Sequence, residues 1–282
     1  MIQSETDEKI ANEEIEIQLL LEAINMKYGY DFRNYSNAHM ERRIHYRMSL
    51  AGIDSISEMQ HKILYDVEFF NLVLSDFSIN VTEMFRDPSF YRAFRKEVIP
   101  ILKTYPFIKI WHAGCSTGEE IYSMAILLKE EGLYDRSQIY ATDFNKVALQ
   151  KAKEGIYNID DIKEYTYNYQ QAGGQCSFSD YYIAQYNSVI FEPSLKKKIT
   201  FAEHNLVTDG VFGEMHVIIC RNVMIYFNKK LQSNVIKLFS DSLSNGCFLC
   251  LGSKESIKFS TSLDSFEEFI SSEKIYRKKY YL

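Results

Sequence analysis

The stretch Ile108–Glu130, IKIWHAGCSTGEEIYSMAILLKE, constrains this chain more than any other. Ile108, Ile110 and Trp111 have the apolar, partly β-branched character of a buried strand. Gly114 and Gly118 bracket Cys115, Ser116 and Thr117, a loop of small residues where backbone can approach a ligand closely. Beyond it Ile121, Met124, Ala125, Leu127 and Leu128 recur at helical spacing. Strand, glycine turn and helix in succession specify a βα unit. Its helix N-terminus, with unpaired N–H groups and the positive end of the dipole, faces whatever the loop holds.

Glu119 and Glu120 open that helix. A phosphate-binding turn avoids acid there, because the site must accept an anion. The pair therefore suits a ligand with a cationic group, such as the ammonium and sulfonium of S-adenosylmethionine, better than a pyrophosphate. On this stretch alone the two acids equally well complement the helix dipole. A second signal decides. QIYATDFNKVAL places a strand at 138–142, ending in Asp143, with a helix from Lys146. In Rossmann-like βαβ units an acid about 20 residues after the glycine turn takes the ribose hydroxyls, and Asp143 lies at about that distance.

The formal charge of −6 excludes a general nucleic-acid binder, which shows a basic surplus. Tyr and Phe are abundant but scattered, so no stacking platform is implied. No signal-peptide pattern and no apolar run of membrane length occur, so the expected compartment is the cytoplasm, without membrane insertion. Cys247 and Cys250 form a CxxC in GCFLCLG, but that segment reads as a buried strand, and no second pair or His cluster completes a site. No metal is expected.

Taken in order, residues 1–12 read as a charged, frayed tail. From Glu13 to Lys27 the residues Ile15, Leu19, Leu20, Ile24 and Met26 form a helical stripe ended by Gly29. NAHMERRIHYRMSLAG is a helix with Ile44, Met48 and Leu50 toward a core. Arg42, Arg43 and Arg47 share another side, a basic patch on an acidic protein that by itself also fits a solvated face. SISEMQHKILYDVEFFNLVLSDF continues the helical pattern, with Ser55 or Ser57 as its cap. Residues 1–80 thus form a small all-helical domain. In the connecting segment 81–100 and just ahead of it, Asn80, Thr82 and Arg86 precede Asp87-Pro88, where a new helix starts with Pro in its first turn. Their polar groups can fold back over a ligand, or merely join two domains.

Residues 101–282 read as strand–helix alternation: after Asp143, ITFAEHNL ends at Asn205 and Leu206, and HVIICRNVMIYF ends at Cys220, Arg221 and Asn222. A helix runs over 228–243, GCFLCLG is a fifth strand, and the last residues supply a closing hairpin. Between them the Tyr-rich segment at about 166–198 reads as an antiparallel β insert. This is an α/β chain with a parallel, doubly wound sheet, whose ligands bind at the carboxyl ends of the strands. Gly114, Asp143, Asn205 and Arg221 all fall at such ends.

With SINVTEMFRD, AGCSTGEEIYS, ATDFN, HNL and CRNVMIYF in this order, the chain resembles the chemotaxis receptor methyltransferases, the CheR family. The RRI…R helix and the terminal LGSKES agree. The resemblance implies a Rossmann-like class I methyltransferase core with a helical N-terminal domain, acting as an S-adenosylmethionine-dependent protein-glutamate O-methyltransferase and releasing S-adenosylhomocysteine. It implies that Asn80, Thr82 and Arg86 contact the cofactor from the connecting segment. Glu119, with or without Glu120, takes the methionine ammonium, and Asp143 the ribose. Asn205 and Leu206 flank the adenine, and Cys220, Arg221 and Asn222 line the site near the sulfur. Arg86, Arg221 and Tyr226 are the residues nearest methyl transfer. Arg42, Arg43 and Arg47 dock the helical bundle of a chemoreceptor, and the β insert in some members holds a receptor C-terminal peptide. Met84 stands where an aromatic is usual, and the insert here is long and Tyr-rich. No feature calls for more than a monomer.

A glutamate substrate is ionised at neutral pH, so no general base is needed, and none of the usual nucleophile–base constellations is present. Two rivals remain: a class I methyltransferase for another protein or a small acid, and a cofactor-binding adaptor without catalysis. The absence of a Pro-Pro motif after the fourth strand separates the chain from amino-methylating nucleic-acid enzymes.

Overall fold

The computed structural model describes residues 2–78 and 82–280, with side chains from residue 11 onward. By its internal contacts the chain divides into a helical unit, residues 1–79 with 226–232, and an α/β unit, residues 80–225 with 233–282.

The helical unit is built from α1 (Ile2–Tyr28), α2 (Asn37–Ala51), α3 (Ile56–Tyr65) and α4 (Val67–Phe77). Helix α1 starts at Ile2, eleven residues ahead of the expected Glu13–Lys27 stripe, so the charged leader is helical. Only part of its apolar stripe faces inward: Leu20 and Ile24 are fully buried, whereas Ile15, Leu19 and Met26 are exposed. Periodicity identified the helix, but Leu20, Leu21 and Ile24 define the face that packs. In α2, Ile44 and Met48 are buried as expected, while Leu50 is exposed in the last turn before the left-handed cap Gly52. The following helical stretch is broken at Asp66, which ends α3 and caps α4 by accepting from the N–H groups of Glu68 and Phe69. Ser55 is the cap of α3, accepting from the Glu58 N–H. Tyr28 stacks on Phe70 with ring centroids 3.6 Å apart.

The α/β unit opens with α5 (Pro88–Ala93), a wide π turn over Phe94–Val98 and α6 (Ile99–Leu102). Then come β1 (Ile108–Ala113), α7 (Glu119–Glu130), β2 (Ser137–Asp143), α8 (Lys146–Glu154), β3 (Ile156–Asn158), α9 (Ile162–Gln171), β4 (Tyr182–Gln185) and β5 (Ser188–Phe191). Last are β6 (Ile199–Glu203), β7 (Met215–Cys220), α10 (Lys229–Ser242), β8 (Leu243–Leu251), β9 (Phe266–Ile270) and β10 (Ile275–Lys278). The start of α10 belongs to the helical unit. Seven strands form one sheet in the order β6-β2-β1-β7-β8-β10-β9. The first five are parallel, and β10 pairs antiparallel with both β8 and β9. Strand order reverses beside β1, so the β1 and β7 ends flank the crevice where doubly wound sheets bind ligands.

Successive residues of β1 serve opposite layers. Ile108 and Ile110 join the cluster under α7, while Trp111 packs edge-on against Phe239 of α10, with centroids 5.5 Å apart. The insert is a three-stranded antiparallel sheet, β3-β5-β4. It recruits β3 from before the expected 166–198, and its YTYNYQQ run is helical. Tyr165, Asn168 and Tyr169 in α9 point inward at helical spacing, so the Tyr alternation there is no strand signal.

Candidate active site

The glycine loop is locked from two sides. Its first two N–H groups, of Gly114 and Cys115, both donate to the Thr142 carbonyl at 2.9 Å, tying it to the end of β2. Gly114 has φ +78, and a Cβ there would lie 2.6 Å from the Val223 side chain. Gly118 has φ +98 and would meet Ala152 at 2.8 Å. Both positions demand glycine. Four other residues also adopt left-handed backbone around these strand ends: Phe85, Asp87, Ser116 and Asn222. Each costs on the order of 1–3 kcal/mol, strain of the kind that collects at ligand sites.

Asp143 ends β2, as the strand pattern predicts, and it is buried. Its Oδ2 accepts from the Ser116 N–H at 2.8 Å and its Oδ1 from the Asn145 N–H at 2.8 Å. Burial pushes its carboxyl up, against those N–H groups. The acid therefore fixes the glycine loop to β2 and keeps further lone pairs on both oxygens.

The two acids at the start of α7 have separate surroundings. Glu120 is spoken for: its Oε2 accepts from Arg221 Nη1 at 2.9 Å and its Oε1 from His112 Nδ1 at 3.0 Å. Burial would raise its carboxyl, but the His112 hydrogen bond and the Arg221 charge outweigh it and hold the group below the usual range. Glu119 is buried, and its carboxylate accepts from the Thr117 hydroxyl at 2.7 Å. Among the described residues no cation forms an ion pair with it. Burial pushes its carboxyl up to about 7, against the Thr117 bond. A buried carboxylate without a counter-cation is the acceptor that a cationic ligand completes.

Arg221 follows β7 directly. Its Nη2 donates to Asp87 Oδ2 at 2.8 Å and to the Arg86 carbonyl at 3.0 Å. Its guanidinium lies 4.3 Å from the Phe90 ring centroid. The guanidinium thus ties α7, the segment before α5 and β7 into one bidentate junction. Phe85 is held beside it by the Ser123 hydroxyl, which its N–H reaches at 2.9 Å. Thr82 and Arg86 are half-buried on this segment. Asn80 lies outside the described residues.

The remaining expected residues fall as follows. Asn205 makes a turn after β6, its Oδ1 accepting from the Val207 N–H at 3.0 Å, with Leu206 half-buried inside it. Cys220 ends β7 fully buried, and burial pushes its thiol well up. Asn222 supplies the left-handed turn beyond Arg221. Tyr226 belongs with the helical unit, where its ring lies 4.7 Å from that of His39 and its carbonyl accepts from the Ser36 N–H. In α2, Arg42 is exposed and Arg43 half-buried, but Arg47 is ion-paired to Asp76, so the three arginines do not present one uniform charge face.

His112, Asp87 and Glu255 were not singled out from sequence. His112 is a fully buried polar residue near the end of β1, and Asp87 adjoins Arg86. Glu255 lies in the LGSKES segment. Asp87 and Glu255 meet their partners across long stretches of chain, and His112 meets Glu120 only across the glycine loop, so no local pattern marks them.

The residues present fit an S-adenosyl donor: two glycines whose Cβ atoms would fill the cradle, a strand-end acid tied to the glycine loop, and a buried acid with no ion pair among the described residues. The comparisons agree. Residues 80–274 match the family model "CheR methyltransferase, SAM binding domain", and residues 15–78 match "CheR methyltransferase, all-alpha domain". A putative methyltransferase, Cher3, from Pseudomonas putida is 51% identical over 95% of this chain and 98% of its own length. A chemotaxis protein methyltransferase from Listeria innocua is 29% identical over 81% of this chain and 85% of its own. One from Borreliella burgdorferi is 27% identical over 88% and 90%. The sheet order, the cradle and these matches lead to one conclusion: the chain belongs to the CheR methyltransferase family and is an S-adenosylmethionine-dependent methyltransferase.

Proposed function

We propose that this enzyme methylates glutamate side chains of chemoreceptors, forming methyl esters in sensory adaptation. The observation that supports the reading is the Arg221 junction, in which the carboxylates of Glu120 and Asp87 are both taken up by the guanidinium. His112, beside the junction, is fully buried with its Nδ1 committed to Glu120. Carboxylates and an imidazole already engaged in this way suit a nucleophile that needs no deprotonation, and a glutamate is ionised at neutral pH. The names of the Listeria and Borreliella relatives support the chemotactic setting.

In this reading the bound donor supplies an electrophilic methyl on a sulfonium. Glu119 takes the ammonium, and Asp143 the ribose hydroxyls. Asn205 and Leu206 border the adenine, while Gly114, Cys220 and Asn222 shape the floor. Asn80, Thr82 and Arg86 contribute from the connecting segment. Arg221 is already engaged by two carboxylates and a carbonyl, so it orders Glu120 and the segment around Arg86 rather than gripping the substrate. That is the economical choice, because a bidentate clamp on the substrate carboxylate would stabilise the ground state most. Arg86 then orients the incoming carboxylate, Tyr226 is assigned to the same task by the family resemblance alone, and Arg42 and Arg43 meet the acidic face of the receptor's helical bundle. Excluding water favours the charge neutralisation that accompanies transfer. Strand β4, at the edge of the insert sheet with Ile183 and Ala184 exposed, offers backbone to an extended receptor peptide.

Mass spectrometry of a chemoreceptor cytoplasmic fragment incubated with enzyme and donor tests this. The methyl increment should map to glutamates and vanish when those glutamates become glutamine. An increment on any other side chain would favour a different protein substrate.

A further inference from the structure

We propose that Glu255 is a positioning residue of the methyl-transfer site, holding the turn after β7 in the shape that presents Arg221 and seats Val223 on the glycine loop. The proposal rests on the methyltransferase reading. Glu255 lies just beyond β8 and is 4% exposed. Four backbone N–H groups converge on its carboxylate, two to each oxygen. Oε1 accepts from Val223 at 3.0 Å and Met224 at 2.7 Å. Oε2 accepts from Asn222 at 3.0 Å and Gly252 at 2.6 Å. No ion pair reaches it among the described residues, so these dipoles are its counter-charge.

The turn it holds is otherwise unfavourable. Asn222 adopts left-handed backbone, and consecutive N–H groups at 222, 223 and 224 all point to one spot instead of entering a ladder. Space on the other side is closed as well. A Cβ on Gly252 would lie 2.8 Å from Glu255 Oε2 and 2.9 Å from the Asn222 nitrogen. Val223 is pressed against Gly114, where a methyl group would not fit. One carboxylate thus sets the register between the β7 turn carrying Arg221 and the β1 loop carrying Gly114. A glutamine has the same shape but offers one such oxygen, and turns an NH2 toward two N–H donors.

The test uses the full chain with E255Q and E255A, read three ways. Amide hydrogen exchange should speed up by about ten- to a hundredfold at 222–224, while β1 and β2 keep their protection. Turnover of E255Q on receptor should fall by about a hundredfold, with donor affinity by titration calorimetry changed by less than about threefold. Sodium formate, small enough to sit among the four donors, should restore part of the turnover of E255A, and sodium chloride should not. If E255A does not fold, the isosteric E255Q decides. Turnover within about threefold of wild type overturns the proposal. So does a loss in which exchange rises across the whole sheet and affinity falls in step, since that is a role in folding alone. Should the wild-type protein transfer no methyl group, the parent reading fails instead, and the exchange result still reports on the turn.

Discussion

Donor binding should carry the proton of Glu119. In the free enzyme this carboxyl is pushed up to about 7 from its usual 4.5, because burial outweighs the Thr117 hydroxyl, its own backbone N–H and the distant Lys151 charge. An ammonium against it requires the ionised form, so binding below pH 7 releases a proton. If the bound carboxyl returns to its usual value, the coupling is 7 − 4.5 = 2.5, or about 3.4 kcal/mol at 1.36 kcal/mol each. Between pH 8 and pH 6 the ionised fraction falls from about nine-tenths to about one-tenth, so Glu119 alone should lower affinity about tenfold over that range, relative to E119Q. The donor's own α-amine titrates near pH 7.7–8.0 and makes a separate alkaline limb. Titration calorimetry at pH 6, 7 and 8, in buffers of different ionisation heat, should show about half a proton released at pH 7. In E119Q the acid limb should vanish and the alkaline limb remain. An acid limb unchanged in E119Q, or none in the wild type, would refute the assignment.

Three further outcomes follow from the same geometry. Replacing Arg221 with alanine leaves Glu120 and Asp87 facing each other without a cation; stability should fall by about 3 kcal/mol in urea unfolding, the low end for a buried pair because Asp87 is 42% exposed. Turnover of that variant should fall far more than donor affinity, and equal losses would reject its orienting role. G114A must place a methyl group in Val223 at φ +78, so thermal melting should show at least about 1–2 kcal/mol of destabilisation, and donor affinity should weaken with it. R42A should weaken receptor binding in a pull-down without moving the melting temperature, whereas R47A, breaking a partly buried pair with Asp76, should cost about 1 kcal/mol of stability.

Much of this was legible in the chain because it is local. The glycine loop, the acid at the end of β2 and the apolar strands each announce themselves within a dozen residues. The site's wiring does not. Arg221 meets Asp87 and Glu120 across 134 and 101 residues, and Glu255 reaches Asn222 across 33, so only the closed sheet reveals which of two adjacent glutamates is paired with a cation. Glu119 and Glu120 are indistinguishable as letters, and a helical turn of about 100° separates their surroundings. Helix α1 shows the same limit: Ile15 and Leu19 share the periodicity of Leu20 and Ile24, and packing alone determines which face is covered. In α9 tyrosines at alternate positions imitate a strand, but Asn168 and Tyr169 belong to a helical face anchored by the Asn168 bond to the Met84 carbonyl.

The most direct test is to supply tritiated S-adenosylmethionine and chemoreceptor-bearing membranes to the purified protein, then treat the labelled receptor with mild alkali. The account predicts receptor label that leaves as volatile methanol, as an ester must. Label that survives alkali, or a receptor that stays unlabelled while the protein binds the donor, would contradict it.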